Sequence, residues 1–236
     1  MSEINYKIIL IGSSNCGKEI FFRKLSTGEF YEKNISTIGV EKKTLELDLD
    51  ILNKGGKSMH QKFVLSFFNF EVQEKFRAIT YNYYKGSDGI FFLYDITDKY
   101  SFESVENWIG SIKDDSLVYN IKEKYAFVLI GNKYDFEEED NLERKVTEYE
   151  AKRLCDEYDM IWGGEQNLKN LNSKEFVELL GKYVKEVYKR VGEKTIGKQK
   201  IRGNGQIQHI EKIEKIAKEK KSRIKKNSCP SDVSDD

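Results

Sequence analysis

Cysteine is scarce in this chain: Cys16, Cys155 and Cys229 stand far apart among 236 residues, without metal-ligand spacing. An odd, sparse set is no disulfide framework and points to reduced thiols in the cytosol. Long apolar runs are missing as well. The longest, Gly89-Ile90-Phe91-Phe92-Leu93-Tyr94, is far too short to span a membrane and predicts a buried strand. No N-terminal stretch has the length and flanks of a signal peptide, and Ser2 after Met1 is expected to exclude N-myristoylation, which needs glycine there. Net charge is absent too, since 40 Lys and Arg offset 40 Asp and Glu. The whole molecule therefore carries no nucleic-acid footprint, although acidic and basic stretches alternate along it. The length suits one good core with an appendage, or at most two small domains.

What is present centres on Gly12, Ser13, Ser14, Asn15, Cys16, Gly17, Lys18 and Glu19. The apolar run Lys7-Ile8-Ile9-Leu10-Ile11 precedes it and the helical-looking Ile20-Phe21-Phe22-Arg23-Lys24-Leu25 follows. Strand, glycine loop and helix in that order match a phosphate-binding loop. Its backbone N–H groups and the helix N-terminus form an anion site, and Lys18 would reach the outer phosphates as a point charge. The pattern's last position asks for Ser or Thr to ligate Mg²⁺, and this chain has Glu19.

Downstream, Thr44-Leu45-Glu46-Leu47-Asp48-Leu49-Asp50 alternates as a half-buried strand does. Turn residues at 53–57 lead to a second strand at Phe63-Val64-Leu65-Ser66-Phe67-Phe68, an antiparallel pair expected at a sheet edge. Residues 69–80 read as a mixed loop. Ser101 is placed to cap a helix with Phe102, Val105, Trp108, Ile109 and Ile112 on one face. Ala126-Phe127-Val128-Leu129-Ile130 is another buried strand, ending at Gly131-Asn132-Lys133-Tyr134-Asp135. Thr147-Glu148-Tyr149-Glu150 has the capping-box form, Met160-Ile161-Trp162 is a short last strand, and the final core helix presents Phe176, Leu179, Leu180, Tyr183, Val184 and Val187. Six strands alternating with helices predict an α/β fold: a mostly parallel six-stranded sheet with helices on both faces. The phosphate loop and the Asn132 loop both follow carboxyl strand ends, so they share one rim, where such sheets bind ligands.

The composition changes near Glu193, which divides the chain into a domain over 1–192 and a tail over 193–236. Ile207, Ile210, Ile213 and Ile216 recur among Lys and Glu as a narrow amphipathic helix. Residues 218–226 hold six basic side chains and one acid, and 228–236 are polar and acidic. The tail has too little apolar surface for a core of its own. Its basic run could meet anionic lipid, present a solvated helix face, or offer its isoleucine stripe to a partner helix.

Together these motifs give the chain a family resemblance. It is similar to the small GTPases of the Ras superfamily, and within them to the Rab branch, over roughly residues 6–192. The resemblance rests on Ile35-Ser36-Thr37-Ile38-Gly39-Val40, Gln73-Glu74-Lys75-Phe76-Arg77-Ala78-Ile79-Thr80, Tyr83-Tyr84-Lys85-Gly86 and Leu93-Tyr94-Asp95-Ile96-Thr97. It implies the phosphate-loop small GTPase fold, GTP and GDP as ligands with Mg²⁺, and a switch acting in vesicle and intracellular protein transport. By that resemblance Asp135 would accept two hydrogen bonds from guanine, Asn132 would tie its loop to the phosphate loop, and the Lys133 stem would cover one face of the base. Phe30 would meet the base edge-on or else serve the core, Thr37 would ligate Mg²⁺ and sense the γ-phosphate, and Gln73 would orient the attacking water. Effectors or regulators would contact Ile38, Gly39 and Val40 and the stretch from Gln73 through Tyr84.

The chain also departs from that family. Glu19 replaces the metal's hydroxyl ligand, although a carboxylate can itself ligate Mg²⁺. Asn69 stands where the family has an aspartate, and Phe70, Glu71 and Val72 replace Thr-Ala-Gly, whose glycine swings an N–H to the γ-phosphate. Lys42 and Phe68 stand where Rabs carry a Phe and a Trp of their partner-facing cluster. The late Ser-Ala-Lys loop fits best at Asn167-Leu168-Lys169. After Cys229 no prenylation motif follows, so the expected location is cytoplasmic, with any contact on endomembranes peripheral. Two readings stay open: a Rab-like switch with weak hydrolysis, or a pseudo-GTPase interaction module without a working cycle.

Overall fold

The computed structural model describes residues 3–25, 40–52, 56–70, 84, 86–113, 125–133 and 143–192. Its elements run β1 (Ile4–Ile11), α1 (Lys18–Lys24), β2 (Val40–Leu52), β3 (Ser58–Phe70), β4 (Gly89–Asp95), α2 (Lys99–Lys113), β5 (Ala126–Asn132), α3 (Glu148–Tyr158), β6 (Ile161–Gln166) and α4 (Ser173–Val191). One six-stranded sheet has the order β2-β3-β1-β4-β5-β6. Only β2 and β3 are antiparallel, and the other neighbours pair in parallel. The expected edge hairpin and mostly parallel sheet are both found. Strand order reverses at β1, which pairs with β3 on one side and β4 on the other. That reversal opens the crevice where such sheets bind ligands.

Continuous apolar runs in β1 and β4 follow from burial on both faces. In β1, Ile8 and Leu10 join the core beneath α1 and α4, while Ile9 and Ile11 join the one beneath α2 and α3. In β4 the same alternation sends Phe91 and Leu93 one way and Phe92 and Tyr94 the other. Phe91 meets Phe21, Phe67 and Tyr183 edge-on at centroid distances of 6.3, 6.0 and 5.8 Å. The helix faces read from the sequence are the buried ones, except that Leu179 is only partly covered.

Several boundaries differ from the sequence reading. The hairpin strands are longer than the expected 44–50 and 63–68, because charged outward-facing residues at their ends still pair in register, down to Leu52 opposite Ser58. Residues 69 and 70 therefore belong to β3 rather than to a loop. Ser101 lies inside α2 rather than capping it: Asp98 Oδ1 accepts from Tyr100 N at 3.0 Å, while Ser101 Oγ accepts from Asp95 N at 2.9 Å. The serine thus fastens the helix to the end of β4. The Thr147 capping box is found, and a second, Asn172 with Glu175, opens α4. Among the described residues no helix is long and apolar enough to cross a membrane. The tail over 193–236 lies outside the described residues.

Candidate functional site

The loop after β1 is shaped by two glycines with different reasons. A Cβ on Gly12 would sit 2.4 Å from the Leu93 carbonyl oxygen and 2.5 Å from Cys16 Sγ, so β4 leaves no room for one. Gly17 adopts φ +100°, and a Cβ there would sit 2.6 Å from Asn132 Nδ2. Between them Asn15 holds a left-handed φ of 64°, a conformation its short polar side chain tolerates. The Cys16 thiol faces inward beneath the loop, and burial pushes its pKa up against the opposing pull of Lys18. It packs rather than reacts.

Lys18 Nζ donates to the carbonyl oxygens of Gly12 and Ser13, at 2.5 Å each. Its ammonium thus rests half-buried on the loop rim. α1 begins there without a side-chain cap, and its first intrahelical bond runs from Phe21 N to Gly17 O at 3.0 Å. Uncapped N–H groups at a helix start, joined to a glycine loop, form an anion-accepting cradle. Ser13 Oγ lies 2.8 Å from Ser104 Oγ on α2. Ser104 gives its own proton to the Ser101 carbonyl, which makes Ser13 the donor. Ser14 and Asn15 are exposed at the loop's tip.

The second half of the site follows β5. Asn132 is 2% exposed and its side chain lies against Gly17, so the two loops expected on one rim do meet there. Its Oδ1 is buried without a hydrogen-bond partner. Lys133 is half-buried, and its backbone N–H donates to Gln166 O at 3.1 Å. Gln166 pairs with Asn132 in the sheet, which brings the loop after β6 to the same rim. In that loop Asn170 N donates to Asn167 Oδ1 at 3.2 Å, and Leu168 is fully buried. Leu168 is therefore the inward residue of the Asn167-Leu168-Lys169 stretch, with Lys169 outside.

One support was not visible in the sequence. Arg144 makes a two-pronged pair with Glu165 of β6, at 2.7 and 2.8 Å, and donates to Val146 O at 3.0 Å. The pair fixes the chain just before α3 against the edge strand β6. The partners lie 21 residues apart, and no periodicity joins them.

Asp135, Phe30, Thr37 and Gln73 lie outside the described residues, as do Ile38, Gly39 and most of 73–84. Tyr84, expected at the end of a partner-facing stretch, is buried against the layer of Ile9 and Ile11. It serves the core, and that boundary is corrected. On the metal side, the Glu19 side chain is 79% exposed and lies 3.8 Å from Arg23, one turn along the outside of α1. Asn69 is buried and turns Nδ2 toward Glu41 Oε2 at 3.4 Å. Asp95 Oδ1 is engaged by the N–H and hydroxyl of Thr97, at 2.8 and 2.7 Å. No three His, Cys, Asp or Glu side chains among the described residues could hold a metal ion together. The glycine loop and Lys18 suit an anion, while Thr37, the expected hydroxyl ligand of Mg²⁺, and Asp135, the expected reader of the base, lie outside the described residues.

Compared with known proteins, the chain matches the Ras family over residues 7–186. It is 36% identical over 153 residues to the Ras-related protein Rab-13 of Canis lupus familiaris, covering 65% of this chain and 66% of that one. To the Ras-related protein RAB1BV of Beta vulgaris it is 32% identical over 180 residues, 76% of each chain. The EF-hand calcium-binding domain-containing protein 4B of Homo sapiens is 28% identical over 191 residues, 81% of this chain but 24% of that protein.

Proposed function

The chain belongs to the Ras family, with Rab proteins among its relatives, and from that premise we propose that it is a guanine-nucleotide switch of intracellular vesicle and protein transport. The observation that carries this reading is the Asn132 amide, buried against Gly17 with Oδ1 unpartnered. A buried polar atom without a partner is costly, and this one belongs to the amide whose Nδ2 lies against Gly17, so a ligand in the glycine cradle is in place to complete the network. In this reading the backbone N–H groups of 12–18 and the Lys18 ammonium hold GTP or GDP by its phosphates. Asn132 steadies the loop, the Lys133 stem covers the base, and Asp135 selects guanine. Regulators and effectors would meet the stretches at 38–40 and 73–83, and any membrane contact would be peripheral.

Hydrolysis is expected to be slow. Glu19 is turned along the helix exterior and Asn69 is a neutral amide engaged with Glu41, so neither supplies the charge stabilisation that phosphoryl transfer needs. These same two placements favour the second reading, an interaction module that holds nucleotide without a working cycle. Single-turnover GTP cleavage separates the two: a measurable rate supports the switch, and none supports the module. The base site is tested by Asp135→Asn, which exchanges an acceptor for a donor. Expected is a loss of GTP affinity of at least tenfold, about 1.4 kcal/mol, with a gain for xanthosine triphosphate. ATP binding the unmodified protein as tightly as GTP would sink the assignment.

A further inference from the structure

The loop after β1 is tied at both of its ends, and the two ties lead back to the end of β4. At the loop's start, Lys18 Nζ holds the Ser13 carbonyl at 2.5 Å, while the Ser13 hydroxyl lies 2.8 Å from Ser104 Oγ on α2. Ser104 Oγ donates to the Ser101 carbonyl at 2.8 Å, which leaves it as the acceptor for Ser13. Ser101 Oγ in turn accepts at 2.9 Å from the N–H of Asp95, the last residue of β4. At the loop's other end, the Asn132 amide lies against Gly17. Asn132 stands opposite Asp95 in the sheet, and its carbonyl accepts from Ile96 N at 3.1 Å. Ser13, Ser104, Ser101, Asp95, Asn132 and Gly17 therefore close a ring from one end of the loop to the other. Ser101 is fully buried and Ser104 is 9% exposed, so water competes little for the serine bonds.

We propose that Ser104 is a positioning residue for this loop: by accepting from Ser13, its hydroxyl keeps the start of the loop at the spacing from Gly17 that a phosphate group requires. The inference rests on the reading of residues 12–18 as a phosphate cradle. Converging N–H groups bind an anion well when they are held in place beforehand, because ordering them during binding subtracts from affinity. Lys18 depends on the same tie. Two of the three donors of its ammonium go to the Gly12 and Ser13 carbonyls, so a loop that slides along α2 carries the charge with it. Ser104 stands on α2 and acts through Ser13. Neither hydroxyl is needed to satisfy the other residue. In Ser13→Ala, Ser104 still donates to Ser101, and in Ser104→Ala the half-buried Ser13 hydroxyl can turn to water. Alanine at 104 also suits the interior of a helix.

The test is a double-mutant cycle of Ser13→Ala and Ser104→Ala in the full chain, titrated with GDP and with pyrophosphate. Each single change should weaken both probes by roughly two- to tenfold, and the double change should weaken them no further than either single one. The melting temperatures of the four ligand-free proteins should stay together. Hydrogen exchange at the backbone amides of 13–17 should quicken in the ligand-free variants, with β1 and β4 unchanged. Unaltered affinities with a lowered melting temperature would make Ser104 a merely structural serine and overturn the proposal. Losses that add across the cycle would overturn it too, since the two hydroxyls would then act separately. If pyrophosphate binds the unmodified chain and GDP binds no better, the guanine reading fails and the pyrophosphate cycle alone decides for or against Ser104. Binding of neither probe would sink both.

Discussion

At the residue scale, the loop's geometry is written in positions that admit no side chain. Gly17 combines φ +100° with an approach of 2.6 Å between a would-be Cβ and Asn132 Nδ2. Alanine there would meet both the left-handed penalty and the amide. Gly17→Ala should destabilise the fold by about 1–3 kcal/mol and weaken nucleotide binding further by displacing Asn132. Urea unfolding measures the first effect, and an unchanged midpoint would show that the loop relaxes without strain. The two glycines and Lys18 were legible in the sequence because their spacing reflects a local backbone requirement. The turn of Glu19 toward Arg23 was not, since a carboxylate at that position can face metal or solvent with equal chemical sense. Arg144 with Glu165 was hidden for another reason: β6 brings the pair together, and nothing local announces it.

Among elements, the starts of α2 and α3 are joined by one carboxylate. Glu150 accepts from Thr147 N and from the Thr147 hydroxyl, both at 2.8 Å, and from Lys99 Nζ at 2.6 Å. The Lys99 hydrogen bond first, then the two from Thr147, bring its pKa down from 4.5 to about 2. A carboxyl whose folded pKa is depressed stabilises the fold above its unfolded value and loses that contribution as pH falls through the folded one. The loss is therefore expected between about pH 4.5 and 2. Glu150→Gln should cost about 1 kcal/mol at neutral pH and flatten the acid slope across that window. Melting temperatures of both proteins from pH 7 to pH 2.5 check this, and parallel curves would refute it. The capping box itself was readable in advance, because its four residues are consecutive. The reach of the hairpin was not. At that end β3 carries Ser58, His60 and Lys62 outward and Gln61 inward, so its apolar alternation fades while the backbone ladder continues.

For the whole molecule, topology was the most legible feature, since buried strands alternating with amphipathic helices leave few arrangements other than a mostly parallel sheet. That topology sets the two halves of the site on strands β1 and β5, with β4 between them. A ligand held by both loops therefore binds the folded sheet and has no counterpart in the unfolded chain. At 100 times its dissociation constant such a ligand adds about 2.7 kcal/mol of stability. For a domain of this size that corresponds to a rise in melting temperature of roughly 5 to 10 °C. GDP should produce that rise and ADP should not. No shift with GDP would mean that Asn132 and the glycine cradle meet for packing alone. Adding a chelator extends the measurement to the metal side. Because the Glu19 carboxylate is 79% exposed and paired outward with Arg23, Glu19→Ser should leave the chelator response of the GDP shift unchanged. If the serine instead makes the shift newly dependent on Mg²⁺, then position 19 does face the phosphates in the bound state. Glu19 would then have to swing from Arg23 to the loop when nucleotide arrives.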